Sequence, residues 1–125
     1  MQEFYSASTA IAAVVEKYFT GVTTVNMKLL EEAIDADATH LKSVVAGADG
    51  LEKINTESGA DAMKRWAKGT ANLAKGDIIA MDVIDDRIAI VQFDFRFGEK
   101  HFLDILQLAK MNGAWKIVNK MFVLR

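Results

Sequence analysis

The chain has 125 residues, 51% hydrophobic and 26% charged, with 15 Lys and Arg against 17 Asp and Glu scattered without runs. That is room for a single domain over 1–125 with one core, and it offers no basic surface to a phosphate backbone, so nucleic acid is not an expected partner. With no Cys, disulfides, thiolate nucleophiles and Cys-ligated metals are excluded; His40 and His101 share no helical spacing that would build a zinc site, so neither metal nor cofactor is expected.

Taken in chain order, Glu3 stands where a secretory leader needs Lys or Arg, and the apolar stretch from Ile11 to Val15 is too short to span a bilayer, which points to a cytoplasmic protein with no membrane partner. Ile11, Val14, Val15, Tyr18, Phe19 and Val22 fall on one helical face, with Glu16 and Lys17 opposite, predicting a helix that ends near Gly21. Asn26 caps a second, short helix that stops around Asp35, with Val25 and Leu30 as its hydrophobic staple. A hairpin follows, Thr39 to Val45 and Leu51 to Thr56 flanking Gly47-Ala48-Asp49-Gly50. Ser58, with Asp61 three residues on, opens a third helix whose Ala62, Met63, Trp66 and Ala67 face inward before a stop near Gly69.

The remainder is strand and turn. Ile78 to Ile84, Arg87 to Phe97, His101 to Met111 and Trp115 to Leu124 are β-rich runs separated by Asp85-Asp86, Gly98-Glu99 and Asn112-Gly113, and no Pro bars any of them from a sheet interior. With two residues in each turn, counting predicts that Asp82 faces Ala89, Phe93 faces Asp104 and Leu106 faces Asn119. One sheet face then gathers Phe93, Phe95, Phe102, Leu106, Trp115 and Ile117 around Asp82, Asp104 and Asn119. The other carries Ile79, Met81, Val83, Ile88, Ile90, Leu103, Ile105, Ala109, Val118 and Phe122. A three-residue turn at Phe97-Gly98-Glu99 would instead bring Lys116 and Lys120 to the core face. Ten apolar side chains on the outer face are too many for water, so a homodimer through that face is expected.

Helices, a hairpin, a helix and a four-strand meander, in that order, resemble the nuclear transport factor 2-like superfamily over nearly the whole chain. The resemblance implies an α+β, cystatin-like fold in which a cone-shaped, curved antiparallel sheet packs against N-terminal helices around a pocket. Phe102 to Lys110 followed by Asn112 to Lys120, with Gly113-x-Trp115-Lys116-Ile117, is similar to the branch labelled "putative lumazine-binding", related to the SnoaL-like polyketide cyclases. Val14-Val15-Glu16-Lys17-Tyr18 resembles the first helix of ketosteroid isomerase, which implies for Tyr18 a hydrogen bond to a developing oxyanion. In the same comparison Lys42 stands where that enzyme has its general-base Asp, and Gln107 where it has a proton-donating Asp.

Asp104 and Asn119, diagonal on the apolar face, read either as a hydrogen-bonded tie between strands or as a polar handle at a pocket floor, because an unpaired buried carboxylate is costly. Tyr18, Trp66 and Phe93 read as core or as lining for a flat ligand, and His40 as a donor near the pocket mouth. The expected function is a homodimeric module binding a small hydrophobic or planar molecule through Tyr18, His40, Trp66, Phe93, Asp104 and Asn119. Whether the chain is an enzyme stays open. The alternatives are a cofactor-independent isomerase, dehydratase or cyclase acting on a hydrophobic carbonyl compound, with Asp104 as acid or base and Tyr18 as oxyanion donor, and an interaction domain with a filled core.

Overall fold

The computed structural model describes residues 2–125, with side chains described from residue 6 onward. Its elements run α1 (Gln2–Thr23), α2 (Met27–Ala33), β1 (His40–Ala46), β2 (Glu52–Ser58), α3 (Gly59–Ala67), β3 (Ala74–Ile84), β4 (Ile88–Phe97), β5 (Lys100–Met111) and β6 (Ala114–Leu124). No helix among the described residues is long and apolar enough to cross a membrane.

The caps expected from the sequence are present. Asn26 Oδ1 accepts from the Leu29 amide and Ser58 Oγ from the Asp61 amide, each satisfying one orphan donor of a first helical turn. α1 ends at Thr23, two residues past Gly21 and close to the expected stop. Gly21 serves a close approach, because a Cβ there would lie 2.6 Å from Leu30 Cγ, where α2 folds back on α1. Ala7, Ile11, Val15, Tyr18 and Val22 form the buried stripe of α1, three or four residues apart, as one helical face requires.

The six strands form one curved, unclosed sheet in the order β2-β1-β6-β5-β4-β3. All neighbours are antiparallel except β1 and β6, which pair in parallel through Leu41 with Lys120 and Lys42 with Met121. The core lies between α1, α2 and α3 and the concave face, where Ala89, Val91, Phe93, Phe95, Leu106, Leu108, Trp115 and Ile117 are buried.

Register agrees with two-residue turns at Gly98-Glu99 and Asn112-Gly113, and Phe93 pairs with Asp104 as counted. Gly98, Asn112 and Gly113 take positive φ, as tight hairpin turns demand. Two departures change which side chains point inward. The β3–β4 turn holds three residues, Asp85 to Arg87, so Asp82 pairs with Ile90 rather than Ala89; a bulge between Ile78 and Ala80 then restores the counted register, with Ile78 opposite Phe93. Met81 and Val83 consequently pack on the core, while Asp82 is exposed. The second bulge lies in β6. Leu108 pairs with Ile117 but Gln107 with Asn119, leaving Val118 as the extra residue and reversing the facing of everything beyond it.

The β6 bulge coincides with contacts from a distant part of the chain. The Ile117 carbonyl accepts from the Asp35 amide at 3.0 Å and from buried Thr39 Oγ1 at 2.9 Å, anchoring the α2–β1 connection to the sheet. Ile117 also bridges in parallel to Ile34, so it serves the α2–β1 connection at the point where the register of β6 with β5 shifts.

Candidate functional site

Asp104 is placed mid-strand in β5, on the concave face between Phe102 and Leu106, and is 1% exposed. Above it, Tyr18 of α1 donates its hydroxyl proton to Asp104 Oδ2 at 2.7 Å. Beyond the bulge, Lys120 of β6 turns inward, donates to the Tyr18 hydroxyl oxygen at 2.8 Å, and brings its ammonium to 3.7 Å from Asp104 Oδ2. Three ionisable side chains from a helix and two strands thus meet in a space rich in aromatic rings. Lys120 Nζ lies 5.3 Å from the ring centre of Tyr18, 5.5 Å from Trp66 and 4.9 Å from Phe122, a partial cage that favours a cation. Asp104 Oδ1, buried, has no hydrogen-bond partner among the described residues.

The cluster forms one wall of a cavity of about 180 Å³, walled also by Val22, Leu41, Trp66, Phe95 and Phe102, with Arg65 and Lys100 among the lining. Arg65 is held by a bidentate pair with Glu57, at 2.8 and 3.0 Å.

The electrostatics follow from burial. Desolvation raises the Asp104 pKa above the usual carboxylate value, against the opposing pull of Lys120 and of the Tyr18 hydrogen bond. Desolvation lowers that of Lys120, opposed by Asp104. Tyr18 is pushed well above the usual phenol value, by burial first and by the neighbouring carboxylate second. An acid raised in the folded state contributes stability that is present below its unfolded pKa and lost as pH rises through the folded one. A lysine lowered in the folded state loses its contribution as pH falls through its folded pKa. In an Asp104→Asn variant Lys120 loses its counter-ion, and both effects then act in the same direction. Urea denaturation should show wild type gaining stability relative to Asp104→Asn as pH falls from neutral into the ordinary carboxylate range. A difference that shrinks over that range would contradict the assignment.

Of the residues singled out from the sequence, Tyr18, Trp66 and Asp104 meet at this cavity. Phe93 is buried edge-on to Tyr18, with ring centres 6.2 Å apart, and supports that ring rather than lining the cavity. Asn119 is displaced by the β6 bulge: it points to the outer face and donates to Gln107 Oε1 at 2.9 Å, so the expected Asp104–Asn119 contact is replaced by Asp104–Lys120. His40 is exposed at the start of β1 and is not part of the wall. Counting places Lys120 on the outer face, and the sequence carries no clear signal for the bulge that turns it inward.

A family profile described as "Putative lumazine-binding" matches residues 6–123. The chain belongs to that family. Solved structures agree on the fold of this domain. An NTF-2 like protein of unknown function from Silicibacter pomeroyi DSS-3 superimposes with a TM-score of 0.83 at 18% identity, covering 98% of both chains. An NTF2-like protein of unknown function from Shewanella baltica OS155 gives 0.83 at 21% identity over 98% of this chain and 96% of that one. The hexachlorocyclohexane dehydrochlorinase LinA-type3 from Novosphingobium barchaimii LL02 gives 0.67 at 12% identity over 99% and 90%. These identities establish a shared nuclear transport factor 2-like architecture and no more. No curated protein matches the sequence.

Proposed function

We propose that the domain is a small-molecule-binding module whose ligand occupies the cavity beside Tyr18, Asp104 and Lys120. The observation that carries this reading is the cavity whose wall holds the buried Asp104–Tyr18–Lys120 cluster, with one Asp104 carboxylate oxygen unpartnered among the described residues. An orphaned carboxylate oxygen costs about 1–3 kcal/mol or more, which a ligand donor can recover. A volume of about 180 Å³ suits a single ring or a short chain: it is near the ~150 Å³ cavity that takes up benzene and below the roughly 300–1,000 Å³ of sites for drug-sized ligands. Such a space is also what an interaction domain with a filled core would lack. The ligand is therefore small and hydrophobic or planar, with one polar group. Lumazine, the ligand in the family description, belongs in the probe set with benzaldehyde, benzyl alcohol and cyclohexanone. Binding followed by NMR should shift resonances of Trp66 and Phe102 for at least one of these, and Asp104→Leu should weaken it by about tenfold or more, the loss of one charged hydrogen bond. No shift from any of them would remove the binding reading.

A second reading, cofactor-free acid–base catalysis on a carbonyl compound, draws support from the hydrogen-bonded chain Lys120–Tyr18–Asp104, along which a proton can pass through the phenol hydroxyl. A dehydrochlorinase shares the architecture. In this reading Tyr18 donates to Asp104 at rest and takes its proton to a substrate oxygen only if Lys120 continues to support the phenol oxygen.

The module pairs with a second copy through its outer sheet face. Ile88, Ile90, Met121 and Val123 are between 38% and 53% exposed there. Leu103, Ile105, Met121 and Val123 line an apolar groove of about 480 Å³ on that side. The bulges alter the expected membership, because Met81 and Val83 pack on the core and Phe122 lines the cavity, while Met121 and Val123 take their place. A twofold axis across this face would cover it on both copies at once.

A further inference from the structure

The small-molecule reading leaves Lys120 without a task. A pair of Asp104 and Tyr18 would already provide a polar handle, yet a lysine is brought in by a bulge, its side chain 12% exposed, with its amine in the cavity wall rather than at the surface. A lysine kept from water and facing a second cation is the arrangement that favours a free amine, nucleophilic towards carbonyl carbon, and a carboxylate within the same hydrogen-bonded cluster can take its proton. We propose that Lys120 captures a small aldehyde or ketone in this cavity as an imine, with Asp104 moving the protons. The proposal rests on the small-molecule reading and extends it to a class of ligand.

The step balances within the residues present. Lys120 passes one ammonium proton to the Tyr18 hydroxyl, which gives its own to the Asp104 carboxylate, and the amine lone pair forms the C–N bond, the carbonyl π pair moving to oxygen. Asp104 returns that proton to the oxygen, then takes one from the new N–H₂⁺, giving a neutral carbinolamine. It finally protonates the hydroxyl, which leaves as water when the nitrogen lone pair closes the C=N bond. The net change is ammonium plus carbonyl to iminium plus water, with the carboxylate restored and no oxidant or reductant involved.

The charge pattern suits the product as well as the reactant. The iminium carries the positive charge that the ammonium carried, opposite Asp104 and beside the rings of Tyr18, Trp66 and Phe122. Burial lowers the pKa of Lys120, which increases the share of free amine available for attack. Arg65, fixed by Glu57, adds a second positive field on the same wall that acts in the same direction.

Reductive trapping tests the proposal on the unmodified protein. Benzaldehyde and propanal are supplied at low concentration with sodium cyanoborohydride at neutral pH, and peptide mapping follows the rate at each lysine. Lys120 should be alkylated on the order of tenfold or more faster than exposed Lys42 and Lys53, as expected for a carbonyl held against its nucleophile. Asp104→Asn should slow the Lys120 adduct by about a hundredfold, the loss of a positioned acid–base group, while leaving Lys42 unchanged. Benzyl alcohol, the same ring without a carbonyl, is followed in parallel by NMR. Alkylation of Lys120 no faster than Lys42 overturns imine capture, and the small-molecule site stands if benzyl alcohol still shifts the cavity resonances. If neither probe engages the cavity, both readings fall.

Discussion

Asp104→Ala should destabilise the domain by about 3–5 kcal/mol, because it strands the Lys120 ammonium in a buried aromatic space with no counter-ion. For a chain of this size that is a fall in melting temperature of roughly 12–20 °C, at about 4 °C per kcal/mol. The double variant Asp104→Leu/Lys120→Met should recover most of the loss or exceed wild type, since well-packed apolar groups replace an ion pair whose desolvation is not fully repaid. It should also bind none of the cavity ligands. Urea denaturation of the two variants side by side measures both effects. A single variant within about 1 kcal/mol of wild type would show that Lys120 finds water or another partner, and the buried cluster described here would have to be abandoned.

Ile105→Asp should convert a homodimer to monomers. Ile105 projects from the centre of the outer face into the apolar groove, and a carboxylate placed there on both copies would be buried against its own image across a twofold axis. Sedimentation velocity at micromolar concentration reads the change, and far-UV circular dichroism checks that the sheet itself survives, which it should because the substituted side chain faces away from the core. If the unmodified protein sediments as a monomer, the outer face is solvated despite its composition and the dimer proposal fails.

The local features of the chain were legible because their causes are local. Asn26 and Ser58 cap helices through contacts only three residues away, Asn112-Gly113 turns a hairpin because both residues tolerate positive φ, and the apolar spacing from Ile11 to Val22 marks one face of α1 wherever that helix docks. The resemblance of the whole order of elements then led to a helix-packed curved sheet. Tyr18, Trp66 and Asp104 reach the cavity because each lies on a stretch whose periodicity is unbroken.

What only the tertiary structure decided lies beyond the two bulges. Alternation along a strand assigns facing relative to the last interruption, and one inserted residue inverts every assignment after it. In β3 that moved Asp82 outward and Met81 and Val83 inward; in β6 it exchanged Asn119 for Lys120 beside Asp104. The β6 bulge sits where the Ile117 carbonyl is claimed by Asp35 and Thr39, residues about eighty positions earlier in the chain, and the parallel β1–β6 pairing that follows is equally non-local. Composition and spacing within β6 therefore could place a lysine in the strand but not in the cavity; its facing turns on a bulge next to the residue that holds a loop from the other end of the molecule.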